Sequence, residues 1–172
     1  MKQLLIFLIC IVCYNDNGFA IEKNLPKFSI DTSAIIKKIK SDFLAINKQL
    51  GFYKKKKRSA FGFSAEGGEV SGYYDKSNLK KIHCIFYGEM GKTEADYYCN
   101  NKRLFFLYKK EFFYDKPMYL KDSKVKKTIE TRYYLNGDKV IKSIAQPGKS
   151  LMLSYDEIKE EFEQIINILN EK

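Results

Sequence analysis

Tyr133-Tyr134-Leu135-Asn136-Gly137-Asp138-Lys139-Val140 has the form of a strand, a polar turn and the start of a returning strand. Two other stretches share the design, Tyr73-Tyr74-Asp75-Lys76-Ser77-Asn78-Leu79 and Tyr97-Tyr98-Cys99-Asn100-Asn101-Lys102-Arg103-Leu104. Asn136-Gly137 is the strongest turn of the three, because both residue types tolerate the positive φ that a two-residue hairpin requires. Three hairpins predict six strands, near residues 69–75, 79–87, 94–99, 103–110, 129–135 and 139–145. The link over 88–92 is short enough to continue an antiparallel meander. Residues 111–128, which contain Pro117, form a longer connection with room for another edge strand.

Outside this region the apolar period changes from two to the helical value. Ile36, Ile39, Phe43, Ile46 and Leu50 are spaced 3-4-3-4 and lie on one stripe of a helix over 31–50, with Asp31 or Thr32 to cap it and Gly51 to end it. Tyr155, Ile158, Phe162, Ile165 and Leu169 repeat the spacing in a helix over 154–170, behind a Ser154-x-x-Glu157 capping box. The fold class is therefore α+β, an antiparallel meander of about six strands bracketed by an N-terminal and a C-terminal amphipathic helix. Both helices are expected on one face of the sheet, leaving the other to present Tyr and Lys.

The Tyr-Tyr-x-Asn-Gly/Asn-x-Lys-aliphatic units resemble the hairpin repeats of MORN-like proteins, and the layout is similar to uncharacterised exported bacterial proteins that carry such units. The resemblance covers about half of residues 21–172. It implies stacked hairpins and contact with protein or lipid, and it brings no catalytic residues.

Residues 1–20, MKQLLIFLICIVCYNDNGFA, have the features of a secretory signal peptide: basic Lys2, an apolar run from Leu4 to Cys13, and Gly18-Phe19-Ala20 before the cut. A membrane-spanning helix needs about 20 apolar residues, and Asn15, Asp16 and Asn17 interrupt this run too early. The mature chain, from Ile21 to Lys172, is then one secreted or periplasmic domain without a transmembrane span. The alternative is a lipid anchor on Cys13, against which stands Val12 where a small residue is required.

The formal net charge is +10 and the pI about 9.3. Removing the leader takes Lys2 and Asp16 together and keeps the balance. Such a surplus in an exported protein points to an anionic envelope surface or an acidic protein as partner, and away from nucleic acid. The acids concentrate from Ser154 to Lys172, at Asp156, Glu157, Glu160, Glu161, Glu163 and Glu171. With Cys10 and Cys13 gone, Cys84 and Cys99 face an oxidising compartment and are expected to form a disulfide. They lie opposite each other if the hairpin closes at Gly91-Lys92, or through a loop from Met90 to Thr93.

Chemistry-bearing motifs are few. His83 is the only histidine, no second ligand stands at metal spacing, and it is read as an ordinary sheet residue. No cofactor or metal is expected. Lys54-Lys55-Lys56-Lys57-Arg58 is the densest charge run, either a solvated linker or a contact with headgroups or polyanions. The stretch from Phe105 to Tyr114 interleaves aromatics with Lys109 and Lys110, a pattern shared by stacking platforms and half-buried strands. Two functional readings follow. The first is an exported, non-enzymatic binding module that engages an anionic partner, with the basic run from Lys54 to Arg58 as its contact. The second is a hydrolase of an envelope polymer, which needs a carboxylate pair such as Glu66 with Glu94 or Asp96.

Overall fold

A computed structural model describes residues 31–145 and 152–171, all within one compact unit, Asp31–Lys172. The expectations for the leader over 1–20, including Cys13, lie outside the described residues. Helix α1 spans Thr32–Gln49, and the Asp31 carboxylate accepts from the Ser33 N–H at 3.0 Å, satisfying one of the donors that a helix start leaves open. Seven strands follow: β1 Lys54–Ser59, β2 Gly68–Asp75, β3 Asn78–Gly88, β4 Gly91–Asn100, β5 Arg103–Tyr114, β6 Val125–Leu135 and β7 Val140–Ala145. Helix α2, Tyr155–Asn170, starts on the capping box: the Glu157 N–H donates to Ser154 Oγ, and Glu157 Oε2 accepts from the Ser154 N–H at 2.7 Å.

The strands form one sheet in sequence order, β1 to β7, each antiparallel to the next. The count is seven rather than six because Lys54–Ser59 is an edge strand and not a linker, pairing Lys54 with Tyr74 through to Ser59 with Glu69. The three Tyr-Tyr units form the hairpins β2–β3, β4–β5 and β6–β7. The two-residue turn in which both residues take positive φ is Asn101-Lys102, at 50° and 64°. At Asn136-Gly137 only Gly137 takes a positive φ, 60°, and the loop runs on to Lys139, whose carbonyl accepts from the Asn136 N–H.

The helices do not share a face. Alternation along a strand sends neighbouring residues to opposite sides, and Tyr97 and Tyr98 show it: Tyr97 packs beneath α2 and Tyr98 beneath α1. Tyr97, Cys84, Ile82, Leu107 and Tyr133 meet Ile158, Phe162, Ile165 and Leu169 of α2. Tyr98, Phe106 and Tyr134 meet Ile39 and Ile46 of α1 on the other side, with Phe43 centred 4.9 Å from the Tyr98 ring. Gly72 allows the end of α2 to approach β2 closely, since a Cβ there would lie 3.0 Å from Leu169 Cδ1.

Register also removes the expected disulfide. The β3–β4 hairpin turns at Glu89-Met90 with Gly88 opposite Gly91, which sets Cys84 against Ala95. Cys99 lies instead beside Leu79, whose carbonyl accepts from its thiol at 3.4 Å. Ala95, opposite Cys84, is four residues along β4 from Cys99, about 13 Å at the usual rise, whereas a disulfide needs Cα atoms within about 7 Å. Both residues are buried free thiols.

Candidate anion-binding edge

The basic run is placed by the pleat of β1. Lys54, Lys56 and Arg58 fall on the side of the sheet that carries α2, while Lys55 and Lys57 fall on the other. Lys56 Nζ donates to the Leu169 carbonyl, and Arg58 donates to the Glu171 carbonyl from Nε at 3.3 Å and Nη2 at 3.2 Å. The last carbonyls of a helix lack intrahelical partners and carry its negative dipole end, so these two cations terminate α2. On the other side Lys57 pairs with Glu69 at 2.8 Å, and the Lys55 ammonium lies 5.5 Å from the centre of the Tyr73 ring.

Around this edge lies a depression of about 500 Å³, lined by Lys54, Lys55, Lys56, Arg58, Tyr74, Lys76 and Asn170. No carboxylate lines it. Among the described residues Lys54, Lys55 and Lys76 have no ion-pair partner, so the α2 terminus takes up two of the cations and leaves three facing solvent. The lining thus combines ammonium and guanidinium groups with Tyr74 and Asn170 and carries a positive charge.

A second polar group lies on the sheet face that carries α1. Asp96 Oδ1 is 2.8 Å from His83 Nδ1 and Asp96 Oδ2 is 3.0 Å from Lys81 Nζ, with Lys81 also 4.9 Å from the centre of the Tyr98 ring. Burial by itself would raise the Asp96 carboxyl, but the His83 hydrogen bond and the Lys81 charge outweigh it and hold the group below the usual carboxylate range. Burial likewise disfavours the Lys81 charge, and Asp96 reverses that effect and leaves its pKa raised. In the sequence His83 stands alone. The strand period already places Lys81 and His83 on one face, but Asp96 joins them only through the β3–β4 register.

Glu66 is not brought together with Asp96. It sits in the β1–β2 loop with its N–H on the Tyr87 carbonyl, four residues along β3 from His83 and so about 13 Å away. Glu94 is paired with Lys92 at 2.7 Å and Glu69 with Lys57. Two carboxyls sharing a proton would raise one pKa, whereas Asp96 is lowered. Among the described residues no group of three or more His, Cys, Asp or Glu is placed to hold a metal ion, and no helix is long and apolar enough to cross a membrane.

No protein-family model, no curated protein and no solved structure matches this chain. Function is therefore read from the side chains themselves, beginning with the β1 edge, where five cations line one depression and no acid does.

Proposed function

We propose that the protein is an exported, non-enzymatic binding module of the cell envelope that holds an anionic partner, an acidic polymer or an acidic protein, along the β1 edge. The observation that carries this reading is the depression lined by Lys54, Lys55, Lys56, Arg58 and Lys76 with no acid in its wall. The overall charge of +10 adds long-range attraction for the same class of partner. Three stacked hairpins of MORN-like appearance would serve as the scaffold that holds the edge straight. Because such attachment is electrostatic, binding should weaken steeply with salt, as the Debye length falls from about 30 Å at 0.01 M to about 8 Å at 0.15 M.

A soluble polyanion such as heparin, titrated by calorimetry across a salt series, tests the proposal. Replacing Lys54, Lys55 and Lys76 together with Ser is expected to weaken binding at least tenfold without lowering thermal stability, since none of the three makes an ion pair. Affinity unchanged in that variant, or insensitive to salt, would overturn the reading. Turnover of an acidic envelope polymer that is lost in Glu66→Gln or Glu94→Gln would replace it with the hydrolase.

A further inference from the structure

β1 forms one edge of the sheet. Among the described residues it pairs with β2 alone, so half of its main-chain groups have no strand partner. The ladder identifies which half. The Ala60 N–H donates to the Gly68 carbonyl at 2.9 Å, and the Tyr87 N–H donates to the Gly67 carbonyl at 2.9 Å. Bonding alternates along an antiparallel strand, so even-numbered residues of β1 bond to β2, and odd-numbered residues of β2 bond to β3. Lys55, Lys57 and Ser59, all exposed, therefore turn their N–H and C=O groups outward, about 7 Å apart. That row matches the edge of another extended chain. Arg58 Nη1 also donates to the Lys57 carbonyl, at 3.2 Å, and the oxygen keeps a second lone pair for an incoming strand.

The side chains select what such a strand carries. β1 has a cation at every position from Lys54 to Arg58, alternating between the two faces of the sheet. A strand laid along it projects its own side chains to the same faces at the same spacing, so a carboxylate on either face meets a cation. The edge has acids of its own. Glu69 holds Lys57, and Glu66 joins Glu69 in lining a depression with Lys57 and Arg58 at the Ser59 end. Glu171 meets Arg58 through its carbonyl, and Asp75 lines a different depression, with Lys38, Asp42 and Lys80. The charge without an ion-pair partner lies at Lys54, Lys55 and Lys76, and the partner's acids belong there. This chain offers no such strand. A second β1 would set lysine against lysine, the other free edge, β7, carries no acid, and outside α2 no two acids are consecutive.

We infer that β1 accepts an added strand, an extended acidic segment of a partner protein, whose backbone pairs with Lys55, Lys57 and Ser59 and whose carboxylates meet Lys54, Lys55 and Lys76. This rests on the anionic-partner reading of the same edge and narrows it to a peptide, because a polysaccharide lacks the alternating N–H and C=O row that an open strand pairs with.

A capped decapeptide of alternating Glu and Thr is the probe, beside the same peptide N-methylated at every residue, which keeps the carboxylates and loses every main-chain donor. The methylated form is expected to bind at least tenfold more weakly. In hydrogen exchange followed by NMR, the parent peptide should slow the amides of Lys55, Lys57 and Ser59 at least tenfold, whereas saturating heparin should leave them exchanging as in the free protein. Lys57→Pro removes one outward donor without touching the β1–β2 ladder. It should bind the peptide at least tenfold more weakly than Lys57→Ser, with heparin affinity equal in the two variants. Equal binding of the two peptides, or no slowing of the three amides in the bound state, would overturn the added strand and leave the anionic-partner reading standing. Failure of both heparin and peptide to bind would overturn both, and aggregation of the Lys54, Lys55 and Lys76 triple Ser variant would then assign these lysines to keeping copies apart.

Discussion

Cys99 and Cys84 show how burial decides thiol chemistry. Loss of solvent pushes Cys99 up to about 12 and Cys84 well above its usual value, so neither thiolate is populated at neutral pH. Both are expected to resist iodoacetamide in the native protein and to react together on unfolding in urea, and mass spectrometry of alkylated peptides checks this. Fast native labelling of either would contradict the placement. Asp96 yields a pH prediction. Its folded pKa is lowered, so the stability it contributes is complete above the ordinary carboxylate range and is lost as pH falls through the depressed folded value. Replacing it with Asn leaves the buried Lys81 without its counter-charge, a loss of about 3–5 kcal/mol by the behaviour of broken buried pairs. Urea denaturation across an acid series should show that loss at neutral pH and a flatter acid limb in the variant. Equal acid dependence in both proteins would show that another group governs it.

At the scale of elements the two helices differ in how firmly they are held. α2 buries Ile158, Phe162, Ile165 and Leu169, has a capping box at its start, and ends on Lys56 and Arg58. α1 buries only Ile39 and Ile46, adding the Tyr98 hydroxyl donating to Asn47 Oδ1 at 3.1 Å. Local opening follows buried apolar contact, so amides in the middle of α1 are expected to exchange at least tenfold faster than those of α2 in native-state hydrogen exchange. Comparable protection in the two would mean that α1 belongs to the last unit to open. Both helices were legible because the 3-4-3-4 spacing is carried within each segment. β1 was not legible, since five consecutive basic residues have no apolar alternation. Their strand state comes from pairing with β2 and from the carbonyls of a helix more than a hundred residues away in sequence.

Across the whole molecule the sheet is a single meander sandwiched between two helices, with its charged depression at one end of the β1 edge. The sequence by itself determined what local patterns encode: the three hairpins, both helices with their N-terminal caps, the α+β class and the basic surplus; the expected stop at Gly51 was not one of them, since α1 ends on Leu50 and Gly51 lies inside a short 3-10 turn, Leu50–Phe52. It also held an overlooked sign of two covered faces. Adjacent rings in Tyr97-Tyr98 and Tyr133-Tyr134 must point to opposite sides of a strand, so each side needs its own apolar cover. Tertiary structure alone decided which helix covers which face, the seventh strand, the separation of Cys84 from Cys99 and the Lys81-Asp96-His83 group. Each depends on register or on contact between distant segments. A side chain's face follows from its own alternation, but its neighbour across the sheet follows from where the turn closes, and the position of the β3–β4 turn is enough to hold Cys84 and Cys99 four residues out of register.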